Sequence, residues 1–510
     1  MRIILSISFL CFFSSSFAQK EIYYVGVAEG YIHDSADSYP HWKVVDAKGN
    51  ILADSLGRFD NNTRPDISEG MFEFVATNGK RGFKNYHNEI VVPAIFTEVR
   101  GFKNDFAAVA LNTKWGLIDK QGKFLTDTIY KYVSDMDHDG VAILVKPNND
   151  LGCINSKGKF IVPFSYKSIS LGLIREPVFS EGLLPVSAKS NSPFGYEDDK
   201  LGFINKKGNL VIDTIYSLGY SVVGDHRRNA NPRRMCGSGY VALMEMENPN
   251  YLKGDFYKFI SGQALVAKDG KVLVINTQGD SLFAIADHYG RIINSAGFFI
   301  VSEQYDTFLD NPPSPKMGVI NTKGEMIIPL KFTEIGEMSD GYFVVKTKEP
   351  VYNAFSATES NLTNTEYMFF DTLGRPAFNK MKLLYVDNKT FFAGVATVVT
   401  KEKNSNGYYQ RAMLTTRGKL ISIDEDVARP LGNGLFIVSV KDNKGNYRVG
   451  CKGLNNEWVI KPEFYEFGPF ENGFAPARNQ GGWGYTDIKG NYIIQPRFQE
   501  ITALYSLKIP

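Results

Sequence analysis

The stretch Trp115-Gly-Leu-Ile-Asp-Lys-Gln-Gly122 returns near the end of the chain as Trp483-Gly-Tyr-Thr-Asp-Ile-Lys-Gly490, and weaker copies fill most of the sequence between them. Such self-similarity marks a repeat protein. The spacing is rigid. One glycine opens the motif and a second follows six positions later: Gly116 and Gly122, Gly152 and Gly158, Gly202 and Gly208, Gly318 and Gly324, Gly484 and Gly490. In seven copies an aromatic stands eight residues beyond the second slot, as Phe96, Tyr130, Tyr166, Tyr216, Phe332, Phe464 and Phe498. Two of these seven carry asparagine in that slot, Asn88 and Asn456. Asparagine is the residue best able to share glycine's positive-φ conformation, so the slot reads as a turn. Four further copies keep only the second glycine, Gly49, Gly279, Gly374 and Gly418. The total is eleven units at a mean spacing of about 44 residues, the range of propeller blades.

Residues 102–136 show the physics of one unit. Phe106-Ala-Ala-Val-Ala-Leu111 is a short apolar run, Trp115 to Asp119 alternates, and Lys123 to Ile129 is rich in β-branched and aromatic residues. These are predicted strands. The loop Asp119-Lys-Gln-Gly122 recurs as Asn155-Ser-Lys-Gly158, Asn205-Lys-Lys-Gly208 and Asn321-Thr-Lys-Gly324; an Asx side chain that bonds the backbone ahead, with glycine in αL, predicts a hairpin. Prolines 93, 163, 329, 462 and 496 cannot donate to a ladder and should mark strand ends or edges, leaving the aromatic beyond each to plug the gap between units. The chain lacks a long 3.6-residue period outside its leader. The fold class is therefore all-β, in tandem antiparallel blade repeats arranged like a propeller, as one large or two smaller rings. An open curved β-solenoid is the alternative, because eleven units exceed the usual four to eight blades. The strand-like run Ile22-Tyr-Tyr-Val-Gly-Val27 is expected to complete the final unit and close the array.

The two Trp-Gly pairs, with Ile161-Val-Pro-Phe-Ser-Tyr166 and Ile327-Ile-Pro-Leu-Lys-Phe332, resemble the WG-repeat family of bacterial proteins over roughly residues 42 to 498. The resemblance implies an all-β repeat domain with a binding or scaffolding role and brings no catalytic residue. The chain departs from the family's pattern where Leu151, Leu201 and Met317 replace the tryptophan.

At 510 residues, 43% hydrophobic and 13% aromatic, the sequence can bury a large core, and 57 basic against 55 acidic residues give no general attraction to nucleic acid. Residues 1–18 fit a secretory signal peptide, with Arg2, the apolar stretch Ile3 to Phe13, and a small-residue site ending at Ala18. After cleavage no other stretch is long and apolar enough to span a bilayer. The expected organisation is a signal peptide (1–18), a lead-in strand (19–41), the repeat array (42–498) and a C-terminal tail (499–510). An exported protein follows, periplasmic, outer-membrane-associated or secreted.

Candidate chemistry is sparse. Cys153 and Cys451 occupy the same repeat position and read as core residues, while Cys236 lies in an insertion. Asp135-Met-Asp137-His-Asp139-Gly140 resembles the front half of a calcium loop, although Lys146 stands where the closing glutamate belongs. The six histidines lack zinc spacing. His226-Arg-Arg-Asn-Ala-Asn-Pro-Arg-Arg234 places Arg227, Arg228, Arg233 and Arg234 on the longest insertion, where guanidinium forks could grip a planar anion. Other insertions are 190–200, 349–366 and 401–409. If they emerge on one face, that face is the natural binding surface. The expectation is a non-enzymatic binding or scaffold protein of the cell envelope that recognises protein or glycan without a cofactor. The alternative is an exported hydrolase using loop carboxylates such as Glu197.

Overall fold

The computed structural model describes residues 20–33, 38–59, 63–168, 177–188, 200–217, 257–269, 271–285, 289–303, 315–347, 366–403, 407, 409–423, 427–432 and 434–509. Among these the regular structure is antiparallel strand, with two short 3-10 turns and no α-helix. Unit 3 is representative. Its strands run Glu98–Val99, Phe106–Leu111, Lys114–Asp119 and Phe124–Tyr130, and they pair in chain order. Each of the eleven repeat positions marked by sequence falls on the third strand of its own unit. In units 5 and 6 the second strand joins the preceding unit's fourth strand directly, through Tyr166↔Ala188 and Ser217↔Ala267, so units 4 to 6 form one continuous sheet.

The two glycines of the motif serve different ends. The second takes a left-handed conformation throughout: φ is +78° at Gly122, +75° at Gly158, +82° at Gly208 and +87° at Gly324, with Asn88 at 62° and Asn456 at 65°. The carboxylate or amide before it accepts two backbone N–H groups, as Asp119 does from Gln121 and Lys123 at 3.0 and 2.9 Å. The first glycine has an ordinary φ and is there for space. Opposite it the fourth strand bulges: Arg81 pairs Phe96 and Phe83 pairs Val92, so residues 93–95 face Gly82 alone. A Cβ on Gly82 would meet the Val92 carbonyl at 2.4 Å, and one on Gly484 the Ile494 carbonyl at 2.3 Å. The repeat prolines sit in this bulge of the last strand, where no ladder donor is needed.

Cohesion comes from ten apolar clusters that fill the junctions between consecutive units. The aromatics beyond the bulge occupy them as expected: Phe96 lies between units 2 and 3, Tyr130 between 3 and 4, Phe464 between 10 and 11. Hairpin tips also pack on the fourth strand of the unit before them, as Gly158 does on Leu125, Gly324 on Phe283 and Gly490 on Ile460.

The array closes. Residues 499–510, expected as a tail, contain the strand Glu500–Ile509, which pairs with Lys20–His33 from Lys20↔Ile509 to Ala28↔Glu500. The closing direction is the reverse of the expectation: the C-terminal strand supplies the first strand of unit 1, rather than the N-terminal strand completing unit 11. The reason is the short link after each fourth strand, which carries the chain into the next unit's first strand. Phe498 is followed at once by Glu500, as Phe96 is by Glu98. One cluster then joins Val25, Val27 and Val45 of unit 1 to Tyr485, Ile494 and Phe498 of unit 11. The circuit of neighbour contacts is unbroken, which favours a ring over an open solenoid.

Strand alternation assigns every connection to one of two faces. Links from first to second and from third to fourth strand share one face and are short, such as 120–123 in unit 3. Links from second to third strand, and from a fourth strand to the next unit, share the opposite face. The strands flanking 189–199, 304–314, 348–365 and 404–406 end there, whereas 169–176 and 218–256 lie between a fourth strand that ends there and a second strand, Leu183–Ala188 or Gln263–Lys268, that begins on the tight-turn face.

Candidate functional site

The acidic turn lies on the tight-turn face, where three units meet. Asp135 takes Arg100 at 3.3 Å and Lys103 at 2.6 Å, both from unit 3. Asp137 and Asp139 instead share the Lys206 ammonium of unit 5, at 2.6 Å for Asp137. Asp137 also accepts the N–H groups of Asp139 and Val141, both at 2.9 Å. The hydrogen bond from Lys206 holds the Asp139 carboxyl below its ordinary range. Residues that sequence grouped as cation ligands are thus engaged in two directions by the chain's own cations. Among the described residues no group of three or more His, Cys, Asp or Glu side chains is placed to hold a metal. Melting is therefore expected to occur at the same temperature in calcium and in chelator. A calcium-dependent rise in a thermal scan would mean that Lys206 is displaced.

Cys153 and Cys451 are fully buried in inter-unit clusters, and burial pushes both thiols up to about 12. They are inert core residues, as their shared repeat position implied. Arg227, Arg228, Arg233 and Arg234 lie outside the described residues, as do Cys236, Glu197 and the leader 1–18. The root of the 348–365 insertion is held by Glu366, whose carboxylate meets Lys401 at 2.9 Å and Lys382 at 3.0 Å. Burial would raise its pKa, but the two ammonium groups outweigh it and hold the value at about 2. A depressed carboxyl stabilises the fold above its unfolded value, and that contribution is lost as pH falls through the folded one. Melting temperature should accordingly drop as pH goes from about 4.5 towards about 2, and the drop should be smaller in Glu366→Gln.

A cavity of about 300 Å³ opens at the closing seam, lined by Phe474, Pro476, Trp483 and Tyr485 of unit 11, the segment Glu500–Ala503, Glu471 and Arg64. Burial pushes the Tyr485 phenol up, and its hydroxyl donates to the Thr502 carbonyl at 2.8 Å. Arg64 donates to the Ile501 carbonyl at 3.0 Å and lies 3.7 Å from the Glu500 carboxylate. Sequence reasoning missed this site. The signal was present: residues 97–135 align without gaps on 465–503, and in that alignment Arg100, Lys103 and Asp135 become Gly468, Glu471 and Ala503.

A closed circuit of three- and four-stranded antiparallel units, joined by apolar clusters, defines an all-β repeat protein of propeller-like build. The chain belongs to the WG-repeat family: the WG containing repeat matches residues 82–115, 115–149, 152–188, 202–221, 317–349, 450–483 and 483–506. No curated protein matches it. Among solved structures it is similar to AztD from Citrobacter koseri, at 10% identity and a TM-score of 0.26 over 79% of this chain and 94% of that one. It is also similar to PorZ, a bacterial surface component of the type-IX secretion system of Porphyromonas gingivalis, at 8% identity and a TM-score of 0.20 over 91% of this chain and 72% of that one. The computationally designed Ika8 protein gives 10% identity and a TM-score of 0.24 over 68% of this chain and 94% of that one. At such scores these likenesses carry no argument about function.

Proposed function

We propose that this WG-repeat protein is an exported, non-enzymatic binding or scaffold protein of the cell envelope, which recognises protein or glycan through the segments inserted between its β units. One observation carries the reading: the strands flanking 189–199, 304–314, 348–365 and 404–406 all end on the same face, while the hairpins between third and fourth strands on the opposite face keep short glycine turns. Variable segments gathered on one side of a rigid repeat scaffold are the usual way such scaffolds build a recognition surface. The balanced charge argues against nucleic acid as the partner. The leader sequence supports export. No described helix is long and apolar enough to cross a membrane.

The test exchanges 189–199 and 348–365 for short Gly-Ser links. The trimmed chain should melt like the parent, because the inter-unit clusters are left whole. It should lose binding to envelope protein or to cell-wall glycan in co-sedimentation. Retained binding by a correctly folded trimmed chain would reject the insertion face as the recognition surface.

A further inference from the structure

The two Trp-Gly units differ over the indole. In unit 3 the Arg100 guanidinium lies over the Trp115 ring, 4.8 Å from its centroid. It donates to the Val133 carbonyl and is paired with Asp135. The aligned positions in unit 11 and the strand that follows are Gly468, Trp483, Ile501 and Ala503, so the guanidinium that covers the indole and the aspartate that pairs with it are both missing, while Arg64 takes the Ile501 carbonyl at 3.0 Å beside Glu500 and leaves the Trp483 ring uncovered. Lys103 becomes Glu471, which reverses the charge at the rim. The cavity of about 300 Å³ is bounded by the counterparts of the residues that surround Arg100 in unit 3. Among the described residues no cation lies over the Trp483 ring, and the Glu471 carboxylate has no ion-pair partner.

We infer that this cavity is a receptor for an arginine side chain presented by a polypeptide partner. The guanidinium would stack on Trp483 as Arg100 stacks on Trp115, with Glu471 as counter-ion in place of Asp135. The indole face attracts a cation through its quadrupole, and the Glu471 carboxylate at the rim adds a charge-assisted hydrogen bond. The volume sits at the lower limit of small-molecule pockets, enough for one side chain and little more. The exposed positions of Pro469 and Ala503 leave its mouth open to a segment of chain. Walls built from strands of units 11 and 1, rather than from insertions, make the site independent of the recognition face proposed above.

Calorimetric titration of the full-length chain with the peptide Gly-Arg-Gly, and with its citrulline counterpart, tests the inference. Citrulline keeps the shape of arginine and removes the charge. The arginine peptide should bind at one site, and the citrulline peptide at least about tenfold more weakly. Glu471→Gln, an exposed and conservative change, should weaken the arginine peptide about tenfold. The double variant Gly468→Arg/Pro476→Ala restores the Arg100 and Ala108 arrangement of unit 3 and should abolish binding while melting at or above the parent temperature. Pro476 must change as well, because a Cβ on Gly468 would meet its ring at 2.5 Å. The insertion-trimmed chain should still bind, which separates this site from the proposed recognition face. Absence of binding to the parent, equal binding of the citrulline peptide, or full binding by folded Glu471→Gln would overturn the inference.

Discussion

Deletion of residues 20–30 is expected to unfold the protein at ordinary growth temperature. This strand lies between Ser38–Asp46 and Glu500–Ile509 in the sheet of unit 1, so its loss removes two ladders at once. It also strips Val25 and Val27 from the cluster against unit 11, and Tyr24 and Ala28 from the cluster against unit 2. All four are fully buried. Burial of the two valines and the tyrosine contributes roughly 6 kcal/mol at about 2 kcal/mol per side chain. That is comparable to the whole stability of a typical domain, about 5–15 kcal/mol. Circular dichroism on heating should show loss of the cooperative transition. A deletion variant that melts with the parent would show that the array does not depend on closure.

The second large effect separates the opening glycine of the motif from a turn glycine outside it, Gly473, which precedes the second strand of unit 11. Alanine at Gly484 would set a Cβ 2.3 Å from the Ile494 carbonyl and 3.0 Å from the Pro496 nitrogen, both backbone atoms that cannot swing aside. Relief needs movement of the bulged strand, at a cost of about 3 kcal/mol. Alanine at Gly473 has nothing within 4 Å and meets only the positive φ of +84°. That costs about 1 kcal/mol. Chemical denaturation of the two variants should therefore give a clearly larger loss for Gly484→Ala. Equal losses would mean that the bulge is soft and that the opening glycine of the repeat is not required for space.

Much of the architecture was legible because its causes are local. A left-handed glycine preceded by an Asx residue leaves the same mark wherever the hairpin recurs, so Gly122, Gly158, Gly208 and Gly324 could be read as one turn. The aromatics Phe96, Tyr130 and Phe498 were legible for the same reason: each lies a constant distance from its turn and falls in a junction. The role of the opening glycine was harder to see, since its constraint is the backbone of a neighbouring strand. The acidic turn misled because spacing alone cannot reveal that Lys206, from the next unit, occupies two of its carboxylates. The seam cavity was encoded in the substitutions at 468, 471 and 503, but those acquire meaning only when units 11 and 1 are brought together.

The amino-acid pattern by itself determined the repeat, its period, the hairpin turns and the inward aromatics, since each depends on backbone preferences and side-chain polarity within a few dozen residues. Tertiary structure alone decided that Glu500–Ile509 pairs with Lys20–His33, that the strands flanking 189–199, 304–314, 348–365 and 404–406 end on one face, and that an indole lies uncovered at the seam. These depend on strand pairing and packing across most of the chain length, where the free energy of contact between distant segments, rather than local propensity, selects the outcome.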